Sequence, residues 1–149
     1  MRVETPKLRK YTSELEEKGI EFHGHGGPFM IIGLRVGLAA LRALDAFGWF
    51  EISCSVFLPW SPPDSCVIDG IQVSTGCTMG KHNIEVVEEL GVAAEFTSGD
   101  KWVRIQLREE KLLEIKEIFD HGDDAVREYM DNLVLAPDSK LFRIEFKNC

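Results

Sequence analysis

Two short stretches hold most of the side chains able to ligate a metal or move a proton. The first is Phe22-His23-Gly24-His25-Gly26-Gly27-Pro28, where two imidazoles straddle one glycine. Residues two apart in extended chain project the same way, so His23 and His25 can address one point. The second runs from Cys66 to Asn83 and sets two thiols, Asp69, Gln72, Thr78, Lys81, His82 and Asn83 among three glycines. Ligating groups thus alternate with positions where the backbone can turn sharply or approach a ligand. Together, His23, His25, Cys66 and Cys77 form a candidate metal set that zinc or iron would accept. Ten residues separate the two cysteines, a spacing that matches no zinc finger. The plainer reading, histidines at the surface of a loop, therefore stays open.

The same residues imply how they are held. Pro62 and Pro63 precede Asp64 and Ser65, which are candidate N-caps for a helix from Cys66 to about Ser74, ending at Gly76. Cys77 would sit in the turn that leaves it. A helix N-terminus lowers a thiol pKa, so Cys66 is expected as a thiolate, either ligand or nucleophile. Asp69 and Gln72 follow Cys66 on one helical face, as outer partners of a ligand would; alternatively they are a solvated Asp and a Gln that caps the turn. Lys81 and Asn83 could orient an anion or a carbonyl. Against that, Asn83 could simply be the left-handed residue before a strand, with Lys81 solvated. Arg35, inside an apolar stretch, calls for an acidic partner or an interface, as a structural ion pair or a ligand clamp. Gly76-Cys-Thr-Met-Gly-Lys81 is no phosphate loop: the first glycine should lie at Thr75, and His82 stands where Ser or Thr should hold magnesium.

The 149-residue chain is 44% hydrophobic, enough for one domain over residues 1–149 with a real core. Its net charge of −8, without runs of like charge, argues against nucleic acid as a partner. The first twenty residues are mostly polar, and Met30 to Leu44 is interrupted by Arg35 and Arg42. Neither a signal peptide nor a membrane span is expected, and a cytoplasmic protein is. Four cysteines in that setting suggest metal or redox chemistry rather than a disulfide frame, with Cys54 packed in a strand and Cys149 at the chain end.

Patterning predicts a helix from Thr5-Pro6 to Gly19 and an apolar one from Phe29 to Phe47. Gly33 and Gly37 in the latter mark close approach of another backbone, in this chain or a second copy. Strands are expected at Trp49 to Phe57, Ile84 to Glu88, Val92 to Thr97, Trp102 to Leu107 and Leu141 to Phe146. Helices are expected at Glu109 to Phe119 and Asp124 to Val134, broken at His121-Gly122. The order indicates an α+β domain with an antiparallel sheet packed by helices.

His23-Gly-His25, Pro28, Gly33-Leu-Arg35, Cys66-Val-Ile-Asp69-Gly-Ile-Gln72 and Gly76-Cys-Thr-Met-Gly-Lys81-His-Asn83, in that order, resemble the FmdE family. This family takes its name from one component of molybdenum or tungsten formylmethanofuran dehydrogenase and includes free-standing relatives, mostly prokaryotic, many from methanogens or other anaerobes. The resemblance covers residues 20–100 and implies an α+β core that tends to form homodimers. It also implies a His/Cys pocket, in some relatives holding zinc or another transition metal. Two departures stand out. The family usually has His-Gly-His-x-Cys-Pro, whereas Gly27 here replaces the cysteine; and no Cys-x-x-Cys is present for the C-terminal treble-clef zinc finger of many relatives. The expectation is a homodimeric, core-only FmdE-like protein, accessory to one-carbon or redox metabolism, with ligands His23, His25, Cys66 and Cys77. Asp69, Gln72, Thr78, Lys81, Asn83 and Arg35 would surround them. The alternatives are a metal-free enzyme or ligand-binding protein using Cys66 or Cys77 as a catalytic thiolate, and a docking component of a larger molybdenum or tungsten oxidoreductase.

Overall fold

Apolar residues around the whole circumference of one helix fix the architecture, because such a helix must be covered on every side. It is the second helix of the computed structural model, which describes residues 10–148. The described elements are α1 (Ser13–His23), α2 (Pro28–Leu44), β1 (Ser53–Leu58), α3 (Cys66–Thr75), β2 (Ile84–Glu88), β3 (Ala93–Ser98), β4 (Lys101–Leu107), α4 (Glu109–Ile118), α5 (Asp123–Leu135), α6 (Asp138–Leu141) and β5 (Phe142–Asn148). Short 3-10 turns lie at Trp49–Glu51 and Phe119–His121. Helix α2 is buried nearly throughout; it lies on β3 and β4 and is flanked by α1, α3 and α5.

The five strands form one sheet in the order β2-β1-β3-β4-β5. The fold is α+β as expected, but the sheet is not wholly antiparallel. Strand β2 runs parallel to β1, pairing Cys54 with Ile84 and Val56 with Val86. The excursion through α3 carries the chain back to the starting end of β1, as a parallel pair requires. Cys54, Val56 and Leu58 face the helices, and the alternate residues of β1 face outward.

Glycines settle the closest packing. A Cβ on Gly33 would overlap the Val67 carbonyl oxygen, and one on Gly70 the Met30 carbonyl oxygen. The close approach expected at Gly33 is therefore made by α3 of the same chain, and α2 is a core helix rather than half of a dimer interface. Gly37 likewise abuts Ser74 and Thr75.

Several boundaries differ from the sequence reading. The first helix does not stop at Gly19, which is buried against Met30. It ends at Gly24 (φ 100°), whose N–H donates to the Ile20 carbonyl at 2.7 Å. Its start is capped by Thr12, whose hydroxyl accepts from the Leu15 N–H at 3.1 Å. The expected start at Thr5-Pro6 lies outside the described residues, as does Cys149. The first strand begins at Ser53 rather than Trp49, because Gly48 (φ 95°) and Trp49 (φ 52°) bend the chain into a 3-10 turn.

Candidate functional site

The C-terminus of α1 and the first turns of α3 meet, and this contact places His23 against Asp69. Gly24, in the left-handed conformation, ends α1 immediately after His23 and turns the chain so that His25 comes back alongside it. The two imidazole centroids are 4.8 Å apart, tilted by 48°. His23 Nδ1 lies 2.6 Å from Asp69 Oδ2. An ionised carboxylate can only accept, so Nδ1 carries a proton, and in the neutral ring the other nitrogen presents its lone pair. That nitrogen, Nε2, is buried and has no hydrogen-bond partner, and the His23 side chain keeps only 9% of its surface exposed. Buried polar atoms are nearly always satisfied, so an orphaned imidazole nitrogen next to a second imidazole makes this corner the candidate site. His25 Nδ1 lies 3.2 Å from the Gly26 carbonyl, a fixed backbone partner for a ring at the surface.

Cys66 opens α3 one turn before Asp69, as expected, and is half-buried. Its acidity is the reverse of the expectation. Burial, then the nearby carboxylates of Asp69 and Asp64, push the Cys66 thiol up, outweighing the hydrogen bond from its own backbone N–H. The capping differs too. Ser65 makes no side-chain cap bond, and buried Asp64 lies 3.1 Å from Lys116 Nζ instead.

The fold does not bring Cys77 to the histidines. The ten-residue α3 spans about 15 Å, with Cys66 and Asp69 near its start and Cys77 beyond its end. Cys77 is fully buried, and its Sγ–H points to the Ile52 carbonyl at 3.7 Å. Its neighbour is Cys54, which faces inward from β1. A hydrogen bond between the two thiols pulls the Cys77 pKa down and, with burial, pushes that of Cys54 far up. Thr75 Oγ1 also accepts from the Cys77 N–H at 3.1 Å. Among the described residues, no three His, Cys, Asp or Glu side chains converge as a ready metal cluster.

The remaining candidates divide in the same way. Thr78, Lys81 and Asn83 belong to the Cys77 end. The Thr78 N–H donates to Asn83 Oδ1 at 2.9 Å, and Asn83 Nδ2 donates to the carbonyls of Trp49 (2.6 Å) and Ile52 (2.9 Å). Asn83 thereby ties the loop after α3 to the turn before β1. The left-handed residue here is His82 (φ 59°), not Asn83. Lys81 Nζ donates to Thr78 Oγ1 at 3.2 Å and sits 5.7 Å from the centre of the Phe50 ring. Gln72 lies on α3 between the two ends, its carbonyl accepting from the Gly76 N–H at 2.9 Å. Arg35 takes the structural alternative. Its guanidinium donates to the carbonyls of Leu133 (2.6 Å), Val134 (3.1 Å) and Ala136 (2.5 Å), and to Asp138 Oδ1 (3.0 Å). Those carbonyls are orphaned where α5 ends, so Arg35 serves as a buried C-cap for α5.

An α+β core with an Asp-buttressed His-x-His corner thus defines the class. The family model FmdE, described as "Molybdenum formylmethanofuran dehydrogenase operon", matches residues 22–143, most of the chain. The chain belongs to the FmdE family. It is similar to a crystal structure of a tungsten formylmethanofuran dehydrogenase FmdE-like protein from Syntrophus aciditrophicus. The TM-score is 0.67 at 19% identity, covering 99% of this chain and 78% of that one, which shows a shared fold. It is also 36% identical over 67 residues to a probable S-adenosyl-L-methionine-binding protein of Archaeoglobus fulgidus. That match takes in 43% of this chain but only 18% of the length of the relative. No described helix is long and apolar enough to cross a membrane.

Proposed function

We propose that this chain is an accessory protein of formylmethanofuran dehydrogenase-type one-carbon or redox metabolism. Its working site is the His23–Asp69–His25 corner, which takes a divalent transition metal such as zinc. The observation that carries the reading is the pairing of Asp69 with His23 Nδ1 at 2.6 Å while buried Nε2 has no partner. A carboxylate that fixes one ring nitrogen and raises the basicity of the other is the usual outer partner of a metal-ligating histidine. His25 is the second ligand, and Cys66 stands at the rim. Gly27 and the distance of Cys77 leave the thiol side of the family's ligand set unfilled, so the remaining positions go to water or to a small anion. A bound ion would supply positive charge and open positions for that anion. Its partners in this role are a second copy of the chain and a larger molybdenum or tungsten enzyme.

The Cys-thiolate alternative draws less support. Cys66 is half-buried with its acidity suppressed, and Cys77, more acidic, has no exposed surface. A reactive cysteine needs both thiolate character and access. The test is zinc binding by calorimetry to the wild type, His23→Ala and Cys77→Ser. The reading expects binding lost in the first variant and retained in the second. Loss with Cys77→Ser and retention with His23→Ala would move the site to the other end of α3.

A further inference from the structure

The face of the sheet turned away from α2 carries a second site. Across its middle, β1 and β3 present short side chains, Ser53, Ser55 and Thr97. Longer ones stand on either side: Glu85 on β2, Glu95 on β3 and Trp102 on β4. Short residues ringed by tall ones leave a hollow of about 360 Å³, within the size range of small-molecule sites. Strands repeat about every 4.8 Å, so the trough runs about 14 Å from β2 to β4.

Its contacts set its polarity. Ser53 Oγ and Thr97 Oγ1 lie 2.8 Å apart, and Ser55 Oγ donates to Glu85 Oε1 at 2.6 Å. Arg104 pairs with Glu95 and stands 5.3 Å from the centre of the Phe57 ring, outside the lining. No Lys or Arg lines the hollow, and among the described residues none pairs with Glu85. At the other end, Lys147 Nζ already sits 5.0 Å from the centre of the Trp102 ring, so a second positive charge there would meet repulsion. We propose that this trough binds a small hydroxyl-bearing organic ammonium ion, its charged end on Glu85 and its polyol body over Ser53, Ser55 and Thr97 toward Trp102.

The donor and acceptor inventory selects that class. A carboxylate only accepts and an ammonium only donates, so Glu85 and the charged end match in a charge-assisted hydrogen bond. Hydroxyls both donate and accept, so the serine and threonine floor meets ligand hydroxyls in either sense. The Trp102 ring covers the C–H side of the same body. An anion would face two carboxylates with no Lys or Arg in the lining. A wholly apolar ligand would strip water from Glu85 and the hydroxyls without replacing its hydrogen bonds.

The test is a chemical-shift titration of the full chain with glucamine, which has the ammonium group and the polyol, and with sorbitol, which has the polyol alone. Glucamine should give saturable shifts of the Ser55 and Thr97 amides below about 10 mM, and sorbitol should bind at least about tenfold more weakly. Glu85→Gln keeps an oxygen for Ser55 but removes the charge, so it should weaken glucamine about tenfold. Trp102→Ala should weaken it about fivefold. Glu128→Gln, on exposed α5 surface, reads diffuse attraction to an acidic chain and should change nothing. Circular dichroism confirms the fold of each variant. The absence of saturable shifts with glucamine overturns the proposal. So does equal binding of sorbitol, indifference to Glu85→Gln, or an equal loss in the Glu85 and Glu128 variants. Zinc binding by His23 is read separately, and neither result decides the other.

Discussion

Asp69 does at the residue scale what no spacing rule announces. Its position one turn after Cys66 suggested support for the thiol, but its carboxylate turns to His23, forty-six residues earlier in the chain. The link depends on α1 and α3 packing side by side, and a long-range helix contact leaves no local trace in sequence. The proximity of the His-x-His pair was legible, but not its cause: the chain is not extended there, and His23 ends a helix while Gly24, at φ 100°, folds His25 back beside it. If Asp69 orients the ligand nitrogen of His23, Asp69→Asn should cost about 10–100-fold in zinc affinity with little change in thermal stability; calorimetry beside a melting curve separates the two. Cys66 carries a second prediction. Because its pKa is raised, the thiolate fraction at neutral pH is smaller than for an ordinary thiol, and it grows only as pH climbs past the usual range. Iodoacetamide labelling of Cys66, followed by mass spectrometry, should therefore be slow at pH 7 and accelerate above about pH 8.5. Fast labelling at pH 7 would contradict the burial argument.

The pairing of elements follows from where small residues fall. Gly33 on α2 and Gly70 on α3 touch backbone to backbone, which removes any room for a side chain. Gly33→Ala should cost about 3 kcal/mol, because the new methyl meets a carbonyl that cannot move without shifting a helix. Chemical denaturation measures this directly, and a loss below about 0.5 kcal/mol would mean the helices are less tightly apposed. The glycine signal was readable in the sequence; its partner was not, since a second copy of α2 would explain the same pattern. Gly19 misled for the opposite reason. It pointed to a helix end, but its missing side chain makes room for Met30, and the stop belongs to Gly24, where φ is positive. The strand boundary at Ser53 was hidden because Trp49 and Phe50 favour strands by type, while Gly48 sets a turn that propensity does not weigh.

For the whole molecule, alternation and periodicity were enough to read an α+β domain, and the FmdE core matches that reading. The parallel β1–β2 pair escaped, because strand direction depends on how α3 returns the chain and not on the strands themselves. That same return separates the chemistry. One α3 end meets the histidines, while the other buries Cys77 beside Cys54 and Ile52. The central claim is that the imidazole end is where a metal is held. It is tested most directly by nitrogen-15 NMR of the histidine side chains during a zinc titration. The account predicts a protonated Nδ1 in His23 before zinc is added, and a shift of His23 Nε2 and of the His25 ring on zinc addition, with the Cys77 resonances unmoved. Imidazole signals that stay in place while Cys77 and Cys54 shift would contradict it.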